Sequence, residues 1–209
     1  MQRQIILDTE TTGLSPEKGD RLIEIGCLEL VNRKLSGRSL HLYVNPDRLV
    51  GEGALKVHGI SNDFLEDKPR FYEVVEEIME FIAGAELIIH NAEFDLGFLN
   101  YELSLLRRNP YGRIQDHATV LDTLVLARQL HPGQRNSLDA LCKRYQVNNT
   151  HRTLHGALLD AEILANVYLL MTGGQEQLFV SDAAADEATG LFTTETKVSR
   201  VYHLRPVLA

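Results

Sequence analysis

Asp8 and Glu10 are the first residues in the chain whose types and spacing could do chemistry. They follow an apolar run, Ile5-Ile6-Leu7, in the stretch ILDTETTGL. Side chains alternate faces along a strand, so two carboxylates two residues apart point the same way. Like charges at that spacing repel, and they persist where water, a basic side chain or a metal offsets them. Acids are common where a strand ends in a loop, so the pair alone decides little. Two further acids change the reading. Asp95 has Phe98 and Leu99 at i+3 and i+4, which puts it on the apolar side of a helix near its N-terminus. The helix dipole favours an acid there, but the apolar face demands a partner for it. Asp160, in HGALLDAEILANVYLL, shares its face with Ile163, Leu164 and Val167. An unpaired carboxylate in such a place costs several kcal/mol. No lysine or arginine follows Arg152 until the far tail, so its partner is expected from elsewhere in the fold.

His155 precedes Asp160 by five residues. At about 3.6 residues per turn the two stand roughly 140° apart, so they do not share a helix face. A helix starting after Gly156 leaves His155 on the entry loop, where its imidazole can swing over a site lined by Asp160. The other histidines considered (His41, His117, His131, His151 and His203) read as structural or solvated. Four acids on three elements suit Mg²⁺, which takes oxygen ligands, keeps waters and is completed by substrate phosphate. Their four charges balance two divalent ions, and two metals ~3.5–4 Å apart stabilise both the attacking and leaving oxygens of an in-line phosphoryl displacement. A histidine titrating near neutrality can deprotonate the attacking water. The residues alone point to two-metal phosphodiester hydrolysis.

These side chains need elements to carry them. Strand-like runs cover 4–8, about 21–31 and 38–44, with short Gly- and Pro-containing gaps that suit an antiparallel meander. Residues 71–83 change to a helical period, with Phe71, Val74, Val75, Ile78, Phe81 and Ile82 inward and Glu73, Glu76, Glu77 and Glu80 on a solvated face. ELIIH (86–90) reads as a strand, followed by a helix from about Glu93 to Arg107. A strand near 118–122 leads into a helix to about Leu130, a helix at 137–145 has Ser137 as its N-cap, and the last covers roughly 156–172. The expected class is α/β, in the order βββαβαβα, with a mixed sheet (three antiparallel strands, then parallel additions) flanked by helices.

The chain has 209 residues, 44% of them hydrophobic, and a net charge of −8. A protein that wraps duplex DNA unaided usually carries the opposite sign, so a nucleic-acid substrate has to be gripped locally, through metal ions or a tethering partner. No stretch approaches the ~20 apolar residues of a membrane span, and MQRQ leads straight into a strand, with no room for a signal peptide. Cys27 and Cys142 fit neither a disulfide framework nor a zinc pattern and are expected as buried thiols in a reducing cytoplasm.

DTETTGL, HNAEFDLGFL and HGALLDAEI resemble the three exonuclease motifs of the DnaQ-like DEDD superfamily, and the H-x-x-x-x-D spacing of His155 and Asp160 resembles its histidine branch. The likeness extends over about 3–177, and RNSLDALC, RTLHGALLDA and VYLLMTGGQ are similar to its replicative proofreading members. It implies an RNase H-like fold and 3′→5′ exonuclease activity on DNA that releases 5′-mononucleotides. Carried over, Asp8, Glu10, Asp95 and Asp160 are ligands of two divalent cations, Mg²⁺ or Mn²⁺, and His155 is the general base. His58, in KVHGI, matches a histidine that contacts the terminal nucleotide's phosphate or sugar. Thr9 and Thr11 place backbone amides near the 3′ end, Leu14 packs against the base, and Glu10 and Asp160 also face the substrate. Relatives often carry a glutamate five residues before the histidine of VHGI. This sequence has Gly53 there and Glu52 one place earlier, so either Glu52 takes over with a shifted loop or the contact is missing.

Residues 1–174 are expected to form the exonuclease domain and 175–209 a tail. In that tail Gln175, Leu178 and Phe179 form a Q-x-x-L-F peptide like those that bind the ring-shaped sliding clamp, with the two apolar residues as anchors. Residues 181–197 lack periodicity and read as an acidic linker. By the same resemblance, 198–208 docks on the polymerase's catalytic subunit, and a small third core subunit is a further partner. Tethering of this kind removes the need for a broad basic face; Arg107, Arg108, Lys143, Arg144 and Arg152 supply at most a groove rim. The alternatives are a family exonuclease acting on RNA or short oligonucleotides and a non-catalytic interaction module, which has no reason to keep four acids together.

Overall fold

The alternation in RQIILDTET makes a strand buried on both faces, and it sits in the middle of the sheet. The computed structural model describes residues 2–173. Strand β1 (Arg3–Thr11) pairs antiparallel with β2 (Leu22–Val31), which pairs antiparallel with β3 (Lys34–Tyr43). On its other side β1 runs parallel to β4 (Glu86–Ile89), and β4 parallel to β5 (Thr119–Asp122), giving the order β3-β2-β1-β4-β5. The mixed sheet flanked by helices has the expected class.

Two boundaries differ from expectation. β1 does not stop at Asp8. Its ladder with β2 continues through Asp8↔Gly26 and Glu10↔Glu24, with an irregularity only between Glu10 and Thr11. The two acids therefore stand within a strand rather than at its end. β3 starts at Lys34 because Asn32 and Arg33 both take positive φ (50° and 65°), forming a two-residue hairpin turn that sets Val31 opposite Lys34.

The helices are α1 (Glu52–His58), α2 (Asn62–Leu65), α3 (Phe71–Ile82), α4 (Ala92–Leu105), α5 (Thr123–Leu130), α6 (Leu138–Tyr145) and α7 (Ala157–Met171). The expected elements omit α1 and α2. EGALKVH has little apolar periodicity because Leu55 and Val57 stay exposed, and its end is set by Gly59 at φ 72°. The four-residue α2 is capped by Ser61, whose side chain accepts from Phe64 N.

Ile5 and Leu7 face one core with Val75, Ile78 and Phe81 of α3 and Leu99 and Leu103 of α4. Ile6 faces the other, with Leu141 of α6 and Leu164 and Val167 of α7. Period two then sends Asp8 and Glu10 to the α7 side and Thr9 to the α4 side. Because β1, β4 and β5 are parallel, their C-terminal ends lie at one edge, where α/β sheets present their binding crevices. Among the described residues no helix is long and apolar enough to cross a membrane. Cys27 and Cys142 are buried free thiols.

Candidate active site

Gly26 lies opposite Asp8 in the β1–β2 ladder. A Cβ there would fall 2.3 Å from Leu158 N and 2.4 Å from the Ala157 carbonyl carbon. Only a residue without a side chain lets the first turn of α7 rest on β2, and that contact delivers Asp160 to the acids of β1. Glu10, His155 and Asp160 offer ligand atoms that all lie within 4.8 Å of one another. His155 is on the loop before α7, exposed, with Nδ1 3.4 Å from Asp160 Oδ2. Its backbone N–H donates to Val57 O at 3.0 Å, tying this loop to α1.

Asp95 reaches the site from the other side of β1. It is 3% exposed, and Thr9 Oγ1 donates to its Oδ1 at 2.6 Å. The turn before it is pinned by Asp122 at the end of β5. That carboxylate accepts from Asn91 N (3.2 Å) and Ala92 N (2.9 Å) and also caps α5 through Leu124 N and Val125 N. One side chain thus fixes the starts of two helices. Asn91 takes φ 68° at this junction, a conformation in which asparagine is enriched.

Burial, joined at Asp8 and Glu10 by neighbouring charges, raises three carboxyls above their ordinary range. Asp8 is pushed well up, first by burial and then by the charges of Asp95, Asp160 and Glu10. Burial and Asp160, with Glu24 behind, take Glu10 to about 8. Burial takes Asp95 to about 7 against the opposing hydrogen bond from Thr9. Ionised together, these groups require cations. Carboxylate oxygens are the donor set of a hard divalent ion, and the acids fit such a group.

One cation is already present. The Arg152 guanidinium forks onto Asp160, Nε to Oδ1 at 2.5 Å and an NH2 nitrogen to Oδ2 at 2.6 Å. It also donates to Asp139 Oδ1 at 2.8 Å and to His155 Nδ1 at 2.9 Å. Its side chain is only 8% exposed. The expectation that the partner of Asp160 comes from elsewhere in the fold is therefore wrong. The loop between residues 152 and 156 folds back, so an arginine eight residues upstream meets the helix from in front.

The remaining expected residues are more scattered. His58 is buried, and burial lowers its pKa. Nδ1 accepts from Ile60 N at 3.0 Å, so the proton sits on Nε2, which is buried near the Thr11 backbone without a well-formed hydrogen bond. Thr11 Oγ1 donates to Gly13 O. The β1–β4 ladder ends at Ile6↔Ile88, which leaves the β4-side edge of residues 8–11 without a strand partner. Leu14 is 86% exposed and takes no part in the core. Gly53 has open space around it. α1 is regular from Glu52 onward, so Glu52 points about 100° away from position 53. His41 pairs with Glu24, His117 with Tyr111 O and His131 with the Tyr145 hydroxyl, all outside the acid cluster. Gln175, Leu178, Phe179 and the segment 198–208 lie outside the described residues.

Sequence reasoning missed Glu24, Gly26 and Asp122, and set Arg152 aside. Glu24 sits opposite Glu10 and is 2% exposed, paired with His41 Nε2 at 2.7 Å. An acid in LIEIGCLELV two places before a glycine was the available signal, since strand glycines mark a close approach.

Residues 5–168 match the family model described as Exonuclease (RNase_T). The DNA polymerase III subunit epsilon of Escherichia coli (strain K12) is 51% identical over 212 residues, covering 99% of this chain and 87% of that protein. Among solved structures, Exonuclease X in complex with 5′ overhanging duplex DNA is similar with a TM-score of 0.60 and 27% identity, over 83% of this chain and 94% of that one. Escherichia coli Exonuclease I in complex with a dT13 oligonucleotide shares the fold, with a TM-score of 0.71 and 19% identity, over 84% of this chain and 42% of that one.

Proposed function

The chain belongs to the RNase_T exonuclease family, and on that premise we propose that it is a 3′→5′ DNA exonuclease that proofreads for a bacterial replicative polymerase. Its fold is RNase H-like. The observation that carries the reading is the meeting of Glu10, Asp160 and His155 at one point, with Asp95 buried and Asp8 half-buried beside them. Asp8, Glu10, Asp95 and Asp160 hold two divalent cations, Mg²⁺ or Mn²⁺. When bound, these supply Lewis-acid polarisation of the scissile phosphate and offset the charge on the attacking and leaving oxygens. His155, exposed at the rim, takes the proton of the attacking water. The buried Nε2–H of His58 donates to the terminal nucleotide's phosphate or sugar. The free edge of β1 at Thr9 and Thr11 offers amides to the 3′ end, and Leu14 offers its exposed face to the base.

The identity to DNA polymerase III epsilon subunits supports a polymerase partner and a DNA substrate. Residues 175–209 form the tethering tail after a catalytic domain at 1–174. Gln175, Leu178 and Phe179 engage the sliding clamp, 198–208 engages the catalytic subunit, and a small third subunit joins the core. This assembly works in the bacterial cytoplasm, at the replisome. With a net charge of −8, the chain depends on that partner to present the DNA end.

The test is digestion of matched 3′-mismatched DNA, paired DNA and RNA in Mg²⁺ by the purified chain. Mismatched DNA is expected to be degraded fastest, and Asp8→Ala with Glu10→Ala to abolish the activity while the far-ultraviolet circular dichroism stays unchanged. Preference for RNA would overturn the proofreading reading, and undiminished hydrolysis by the double variant would overturn the metal assignment.

A further inference from the structure

Arg152 does more than cover a buried acid. Both oxygens of Asp160 are occupied by its fork, and its terminal nitrogen also points at the His155 lone pair. A guanidinium only donates, so His155 accepts at Nδ1 and carries its proton on Nε2. In this arrangement neither ring nitrogen is free to take a proton. The same cation therefore occupies a metal ligand and the general base at once. Asp139, at the start of α6 and outside the cluster, holds the guanidinium from behind at 2.8 Å.

We propose that Arg152 is an internal counter-ion that exchanges with the divalent cation at Asp160, so that metal entry and release of the His155 lone pair are one event. This rests on the metal-dependent reading above and adds a regulated loading step to it. A guanidinium and a divalent ion sharing one carboxylate repel strongly in a site that excludes water, so the metal has to displace the fork from Asp160. Asp139 gives the displaced guanidinium an anchor just outside, where its charge faces an arriving phosphate. The consequence is a protein whose acids stay folded without metal and whose metal affinity is kept weak until substrate phosphate adds its own oxygens.

The experiment is calorimetric titration of the full chain with Mn²⁺ without nucleic acid, alongside thermal melting in EDTA. Arg152→Gln is expected to bind Mn²⁺ about tenfold more tightly than wild type, while its melting temperature in EDTA falls. Asp139→Asn leaves every metal ligand in place and loosens only the rear anchor. It is expected to weaken Mn²⁺ binding by about two- to threefold, because the displaced guanidinium loses an exposed charge contact, with little change in fold stability. Unchanged or weaker Mn²⁺ binding by Arg152→Gln, or tighter binding by Asp139→Asn, would overturn the exchange alone. A wild-type chain that binds no Mn²⁺ would overturn the metal site itself and the exchange with it.

Discussion

Removing metal should make this protein less stable as the solution becomes more alkaline, opposite to the usual behaviour of acids held by ion pairs. Glu10 rises from an ordinary 4.5 to about 8 in the fold, through burial, Asp160 and Glu24. Between those values the folded chain binds more protons than the unfolded one, so stability falls as pH increases and levels off above the folded value. The cleanest window is pH 6.5 to 8.5. Below it His58 and His90, both lowered by burial, bind more protons unfolded than folded and oppose the trend. At 1.36 kcal/mol per unit, Glu10 contributes about 2 kcal/mol of lost stability from pH 6.5 to 8, and Asp95, which titrates near 7, adds a smaller share early in the window. For a domain of this size that corresponds to roughly 4–8 °C in melting temperature. Urea unfolding in EDTA at pH 6.5, 7.5 and 8.5 reads it directly, and Glu10→Gln should reduce the slope, leaving the share of Asp8 and Asp95. Saturating Mg²⁺ should remove the trend, because a bound cation favours the ionised acids. Stability that climbs with pH in EDTA, or a slope that Glu10→Gln leaves unchanged, would refute the account of a crowded acid cluster.

Gly26→Ala should lower stability by about 1–3 kcal/mol, the usual range for overpacking, because its Cβ meets the backbone of Ala157 and Leu158. Exonuclease rate should fall further than stability does, since the displaced helix carries Asp160; comparing kcat with urea midpoints separates the two. Thr9→Val keeps the shape but removes the 2.6 Å donor that holds down the Asp95 pKa. The expected result is a loss of about 1–3 kcal/mol in stability, the range for a buried polar group left unsatisfied, with the alkaline rise of the pH–rate profile moved upward. Gly53→Glu places a carboxylate in open space near the start of α1. It should gain up to about 1 kcal/mol of helix stability and lower KM for oligonucleotide with kcat little changed, read from steady-state digestion.

The parts that were legible in the sequence are those with a period. FYEVVEEIMEFI announces its buried and solvated faces, and α3 runs Phe71–Ile82 with its glutamates outward. ELII and TVLD are short runs centred on apolar residues, and both are strands. The acids were legible as misfits, charges on otherwise apolar faces. What could not be read is what depends on distance across the fold. Nothing in the local pattern says that β1 continues past Asp8, because Asp-Thr-Glu-Thr has the composition of a loop and becomes strand only by pairing with LIEIG. Glu52–His58 hides as loop because its helix buries His58 alone. Asp122 reads as a common N-cap for α5, and only the sheet order reveals that it also holds the start of α4.

The partner of Asp160 is hidden in the local pattern, because no basic residue follows Arg152 until the far tail. α7 begins against Gly26, and its first turn is open to whatever precedes it. TLHG brings the chain back across that opening, so Arg152 reaches Asp160 from the N-terminal side, where no i, i+4 rule applies. A buried acid near a helix start is therefore best paired first with the loop that leads into it. That loop is also the element carrying His155, so the residues that neutralise the acid and those that use it are joined within five positions. A change in one cannot leave the other where it was, which makes Arg152, and not a fifth acid, the residue that decides how the cluster responds to metal.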